Sequence, residues 1–407
     1  MRSGRGVAAA AVGRAGSVIS RGILVEAAEG SRGRGYHPRR APVAQWIERS
    51  RPKAGVGGSN PSGGTSATVV DARAVALAVS ASIGPTFRDV TPLGFDRSGR
   101  RPRHYNDRVA LDVPDEVRNK ALADGNAAWL DDLPSVLDAL ARDWSLTIGA
   151  AMRGGHAALV VEATLADGTP SVLKVGLPGH RRQLAFEATV LELAAGGSCA
   201  RLLRRDLTRD ALLLERLGPA MFDVVPDPST QHDMLSDIAA RLWRPLGDDI
   251  DLPTGAHVAR RMQDLIPQLW EELRRPCSAR AIADAVACAK RRERAHDDGR
   301  SVLVHGDIHE ANALQAPYGT FKLIDPDGLR AEPACDLGTI VRCTPDAGDD
   351  LRARTQRLAA RTGVDAAAIW DWGTVHRIMG GLNSARIGFQ PFSRLLLAEA
   401  DRLTQTG

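Results

Sequence analysis

Apolar and polar positions alternate with two different periods along this chain, and residues 1–105 show neither for long. From residue 113 the order begins. Residues 115–126 (Val117, Ala121, Leu122) and 127–144 (Leu133, Val136, Leu137, Leu140) repeat at helical spacing, with Pro114 and Pro134 near their starts, so two helices are predicted. The period then drops. Residues 158–163 and 171–175 read as strands around an Asp167-Gly168 turn, with Leu146-Thr147-Ile148-Gly149 before them. A helix over 184–195 follows, ended by Gly196-Gly197, and then strands at Leu202-Leu203 and 211–217. Helical spacing returns over 232–242, 255–273 and 279–298. Two short apolar runs, Val302–Val304 and 321–324, read as the strands of one β-hairpin turning at Pro317-Tyr318-Gly319. Helices are predicted again over 336–344, 349–362, 365–380 and 391–404. The class is α+β: a small antiparallel sheet first, a larger helical part after it.

The hairpin delivers the polar residues that stand out. Val304-His305-Gly306-Asp307-Ile308-His309-Glu310-Ala311-Asn312 leaves its first strand, and Leu323-Ile324-Asp325-Pro326-Asp327-Gly328 leaves its second. Phosphoryl transfer needs a carboxylate that orients the attacking hydroxyl and oxygen ligands that hold Mg²⁺ on the phosphates. Asp307, Asn312 and Asp325 supply that set, in the order of the protein-kinase loops H-R-D-x-x-x-x-N and D-F-G. Gly306 replaces the Arg, and Pro326-Asp327 stand where Phe-Gly would. His305 and His309 share the spacing of helical metal ligands, but on a loop without a third ligand they do not make a zinc site.

His-Gly-Asp-x-His-x-x-Asn followed by Ile-Asp-Pro resembles the aminoglycoside phosphotransferase superfamily. Val172-Leu173-Lys174-Val175, Leu212-Leu213-Leu214-Glu215-Arg216-Leu217 and Glu332-Pro333-Ala334-Cys335-Asp336-Leu337 bring it nearest the streptomycin 6-phosphotransferase and hydroxyurea phosphotransferase group. The resemblance covers roughly residues 107–400. It implies a protein-kinase-like two-lobe fold, with a nucleotide-binding N-lobe over 106–218 and a catalytic, acceptor-binding C-lobe over 219–407. It also implies ATP and Mg²⁺ as cofactors and a small-molecule acceptor. In this reading Asp307 is the catalytic base, and Asn312 and Asp325 hold the metal. Lys174 contacts the phosphates, Glu187, thirteen residues on, pairs with it, and Gly154 and Gly155 admit the phosphates to the backbone. Glu215 to Leu217 would take the adenine, and Asp336 would brace the catalytic loop. The acceptor is expected to be streptomycin, whose two guanidinium groups suit acidic clusters such as Asp248-Asp249 with Asp251, and Asp346 with Asp349-Asp350. The alternatives are a hydroxyurea phosphotransferase and a nucleotide-binding regulator without turnover.

Charge and composition narrow the remaining classes. The formal net charge is +4, yet residues 1–70 hold 11 Lys and Arg against 3 Asp and Glu, leaving 42 against 46 for residues 71–407. The basic character belongs to the front alone, so no nucleic-acid partner is expected. No apolar run of membrane-spanning length occurs, so no membrane partner is expected either. Five scattered cysteines without CxxC spacing fit a reduced, cytoplasmic protein, as monomer or dimer. Ala41-Pro42-Val43-Ala44-Gln45-Trp46-Ile47-Glu48-Arg49 and the Gly-rich stretch from Gly55 look like a conceptually translated tRNA gene. Residues 1–105 are therefore expected to be a disordered or mis-called extension, not a targeting segment.

Overall fold

The computed structural model describes residues 112–152, 158–342, 350–390 and 392–405. The front extension, Gly154 and Gly155, Cys343, and Asp346 with Asp349 lie outside them.

Two helices, α1 (Asp115–Ala123) and α2 (Ala127–Trp144), precede the sheet. The sheet is five-stranded and antiparallel, built of β1 (Thr147–Met152), β2 (Ala158–Thr164), β3 (Pro170–Gly176), β4 (Leu202–Asp206) and β5 (Ala211–Glu215) in the order β1-β2-β3-β5-β4. Helix α3 (Arg181–Ala194) leaves β3 and returns to β4. Because successive strand side chains point to opposite faces, Leu213 enters a core with Leu133, Leu137 and Leu140 of α2. Its neighbours Leu212 and Leu214 join the core that holds Leu184, Phe186 and Val190 of α3. This second core runs on into the helical lobe. The sheet is thereby tied to both.

The helical lobe contains α4 (Met221–Val224), α5 (Pro228–Leu242), α6 (Gly255–Glu272) and α7 (Ala279–Ala295), then α8 (Ala334–Val341), α9 (Leu351–Thr362), α10 (Ala366–Arg386) and α11 (Phe392–Gln405). Their starts are written in the sequence. Asp227, Thr254, Ser278, Asp350 and Asp365 each accept a backbone N–H of the following first turn, a contribution of about 1 kcal/mol per cap. Among the described residues no helix is long and apolar enough to cross a membrane.

Between α7 and α8 the pairing differs from the single hairpin expected. β6 (Val302–Val304) pairs with β9 (Leu329–Ala331), whereas β7 (Ala313–Gln315) pairs with β8 (Phe321–Leu323) across the turn at Pro317–Gly319. The hairpin is nested inside a second, wider pair. The loop from His305 to Asn312 therefore joins β6 to β7, and the loop from Ile324 to Gly328 joins β8 to β9. Both loops leave the same end of this double ladder, which is why they meet.

Candidate functional site

The loop from His305 to Asn312 is held from behind. The buried Asp336 carboxylate on α8 accepts the backbone N–H of His305 at 3.1 Å, that of Gly306 at 2.8 Å, and Trp243 Nε1–H at 2.9 Å. Burial raises its pKa up to about 6 against the pull of those three donors. The Thr339 hydroxyl, also on α8, accepts the Ile308 N–H at 3.1 Å. His305 is fully buried and bridges the two loops: its Nε2 meets the Ile324 carbonyl at 3.0 Å, and its Nδ1 accepts the Asp307 N–H at 3.2 Å. A carbonyl on one side and a donor on the other fix the neutral ring with its proton on Nε2. Burial lowers its pKa to about 4. Gly306 has φ +91°, and a Cβ there would sit 3.0 Å from the Asp327 Cβ. An Arg would not fit, which accounts for the glycine at that position of the motif.

Asp307 ends up between an arginine and a histidine. Its Oδ1 accepts from Arg342 Nη1 at 2.7 Å, and its Oδ2 lies 3.5 Å from His309 Nε2. Burial would raise this carboxyl, but Arg342 and then His309 outweigh it and hold it well below the usual carboxylate range. Asn312 donates from Nδ2 to the Asp307 carbonyl at 3.1 Å, and its own carbonyl accepts the Ile324 N–H at 2.9 Å. Asn312 thus touches both loops.

Asp325 is held differently. It sits at φ +57°, a left-handed conformation that costs a non-glycine residue about 1–2 kcal/mol, and its side chain is 47 % exposed. Lys174 of β3 reaches it at 2.8 Å and reaches both Glu187 oxygens at 2.8 Å. Burial opposes the lysine charge, but Asp325 and Glu187 together outweigh it, so Lys174 stays protonated well above the ordinary lysine range. For Glu187 burial is the larger influence and pushes the carboxyl up to about 7, with Lys174 pulling the other way. Asp327 accepts from Gln183 Nε2 of α3 at 3.2 Å, and burial with the neighbouring Asp307 charge raises it well above the carboxylate range. At Gly328, φ +73°, a Cβ would come within 3.1 Å of the Phe186 carbonyl oxygen. Helix α3 therefore lies directly on this loop.

The structure brings together Lys174, Glu187 and Asp325 on one side, and Asp307 with Asn312 on the other. Glu215 ends β5. Its N–H donates to the Arg201 carbonyl at 3.0 Å, and its carboxylate takes the Arg201 N–H and Lys322. Leu217 follows, half-buried, before Gly218, whose N–H donates to the Gln315 carbonyl at 2.7 Å. Among the described residues no three His, Cys, Asp or Glu side chains converge as a ready-made metal cage. Sequence reasoning missed Arg342, Gln183 and Asp327. Arg342 carried one signal: it is a charged residue directly after a helix, Ala334–Val341, buried at every position.

The profile of the family described as aminoglycoside/hydroxyurea antibiotic resistance kinases matches residues 143–378, more than half the chain. The chain belongs to this family. It is a phosphotransferase with an alcohol group as acceptor, on a protein-kinase-like fold of sheet lobe and helical lobe. A streptomycin 6-kinase of Streptomyces glaucescens is 30% identical over 227 residues, 54% of this chain and 69% of that protein. The streptomycin 6-kinase of Streptomyces griseus is 26% identical over 313 residues, covering 72% of this chain and 98% of its own. A hydroxyurea phosphotransferase of Kitasatospora aureofaciens is 28% identical over 286 residues, 67% of this chain and 79% of its own.

Proposed function

We propose that this chain transfers the γ-phosphoryl group of ATP to a hydroxyl of streptomycin. The observation that carries the reading is the meeting of Lys174, Glu187 and Asp325 beside the loop that presents Asp307 and Asn312. The donor set suits Mg²⁺. An Asp325 carboxylate and an Asn312 amide oxygen are hard ligands, and Mg²⁺ takes few protein ligands, filling the rest with phosphate oxygens and water. When bound, Mg-ATP supplies the transferable phosphoryl group and neutralises charge along its phosphates.

The residues of the chain do the positioning. Lys174, kept charged and aimed by Glu187, is the phosphate contact of the N-lobe, 106–218, with Gly154 and Gly155, which precede β2 in the sequence, as further phosphate contacts and the Glu215 to Leu217 segment at the adenine. In the C-lobe, 219–407, Asp307 orients the acceptor hydroxyl and takes its proton as it attacks. Arg342 holds one carboxylate oxygen and keeps the group ionised, so the other oxygen serves the acceptor. Such a base contributes about 10² to 10⁴ in rate.

Streptomycin ranks first because two of the similar proteins carry that activity in their names, and because its guanidinium groups match the acidic loop of Asp248, Asp249 and Asp251. Hydroxyurea is the second reading, favoured by the third similar protein. Incubating the chain with Mg-ATP and streptomycin, hydroxyurea or kanamycin, and weighing the acceptors by mass spectrometry, tests the choice. Streptomycin should gain one phosphate. A phosphate on hydroxyurea alone would transfer the protein to the second reading, and no phosphorylated product would refute both.

A further inference from the structure

The two histidines of the first loop are used in parallel up to a point. Each Nδ1 accepts the backbone N–H two residues on: His305 that of Asp307 and His309 that of Ala311, both at 3.2 Å. An accepting Nδ1 leaves the ring proton on Nε2 in both. From there they part. The Nε2–H of the buried His305 goes to the Ile324 carbonyl at 3.0 Å, whereas the Nε2 of His309 faces Asp307 Oδ2 at 3.5 Å. The second contact is longer than the roughly 2.7–3.2 Å of a settled N–H···O bond. Both of its side chains are partly exposed, so a ligand can reach the two atoms.

We infer that Asp307 Oδ2 and His309 Nε2–H together clamp the acceptor hydroxyl, an inference that rests on the proposed role of Asp307 as base. His309 is then a second catalytic residue. A hydroxyl has one proton and two lone pairs. Its proton goes to Oδ2, one lone pair takes the His309 N–H, and the other remains for the γ-phosphorus. With donor and acceptor 3.5 Å apart, an oxygen set at about 2.8 Å from each closes a triangle, so both bonds form at once. Oδ1 stays on Arg342 at 2.7 Å, which keeps the carboxylate from turning. As the new oxygen–phosphorus bond forms and the bond to the leaving ADP breaks, the hydroxyl proton passes to Oδ2. His309 keeps its own proton, and its hydrogen bond strengthens against the negative charge developing on the attacking oxygen.

The same count of lone pairs bears on the class of acceptor. A neutral amine has a single lone pair, so it either takes the His309 N–H or attacks. The clamp therefore selects hydroxyls over amines within one acceptor molecule.

Two substitutions separate the two ring nitrogens. His309→Asn places an amide oxygen near Nδ1, keeping the bond to Ala311, and lacks a donor at Nε2; His309→Gln places an amide N–H near Nε2 and gives up the bond to Ala311. Turnover of Mg-ATP is followed with streptomycin or hydroxyurea, whichever gains phosphate. His309→Asn should lower kcat about a hundredfold, with KM for Mg-ATP unchanged and a melting temperature close to wild type. His309→Gln should keep kcat within about tenfold although it melts lower. The reverse order, with His309→Gln the worse enzyme, or wild-type turnover in His309→Asn, overturns the inference. Asp307→Asn run alongside keeps the two readings apart: normal turnover there would mean that the base is misassigned, whereas its failure beside a fully active His309→Asn rejects the clamp alone. Nitrogen NMR of the free protein tests the ring without any acceptor. The His309 signal, assigned by its loss in His309→Asn, should report the proton on Nε2, and a proton on Nδ1 overturns the inference.

Discussion

Two loops meet at this site and are held in opposite ways. The loop of Asp307 is fastened from behind by Asp336, Thr339 and His305, all buried, so its backbone is set before any ligand arrives. The loop of Asp325 has a left-handed aspartate, more than a third exposed, joined to the sheet lobe through Lys174. One loop is preorganised, and the other keeps a strained residue in reach of solvent and of a cation. The difference suits their proposed tasks. A base must be in place before attack, whereas a metal ligand has to exchange Lys174 for an ion.

Asp336→Ala should break the comparison most severely. It leaves the N–H groups of His305 and Gly306 and the Trp243 indole unpaired in a buried place, at about 1–3 kcal/mol each. A loss of about 4 kcal/mol in denaturant unfolding is expected, with activity lost alongside. A loss under about 1 kcal/mol would mean that the first loop is not held from α8.

The next effect depends on pH. His305 is neutral in the fold with its pKa lowered to about 4, against 6.5 when unfolded, so the unfolded chain takes up a proton that the folded chain refuses. Its contribution is complete above pH 6.5 and lost as pH falls toward 4, at about 1.4 kcal/mol per unit. His305→Asn keeps a donor and an acceptor but cannot titrate. The stability gap between wild type and variant should therefore shrink as pH falls from 7 to 4, since other titrating groups cancel in the difference. A gap independent of pH would place the His305 proton elsewhere.

The smallest effect on stability is a near balance. Asp325→Gly relieves the left-handed backbone but removes one of the two carboxylates paired with Lys174, so stability should stay within about 1 kcal/mol of wild type, while Mg-dependent nucleotide binding disappears. A clear fall in melting temperature would show that Asp325 is structural and the contrast between the loops mistaken.

Much of the fold is legible in the sequence, and the exceptions have a common cause. Long helices announce themselves by period, as at Ala127–Trp144, where predicted and observed bounds coincide. The three-residue strands Ala313–Gln315 and Leu329–Ala331 do not. Ala-Leu-Gln and Leu-Arg-Ala are too short to show a period and poor in β-branched residues, so the nested pairing has no sequence signal although the turn at Pro317–Gly319 does. At the site, Lys174, Glu187, Asp307, Asn312 and Asp325 could be chosen because spacing along the chain suffices. Arg342 could not, because its contact with Asp307, thirty-five positions away, depends on how α8 packs behind the loop. Gln183 likewise meets Asp327 across 144 positions and has no local signature.

The most direct measurement of the central claim is streptomycin-dependent ADP release from Mg-ATP by wild type and by Asp307→Asn. The account predicts turnover in wild type, a fall in kcat of about 10² to 10⁴ in the variant, and unchanged nucleotide affinity. A variant that turns over at the wild-type rate would contradict it.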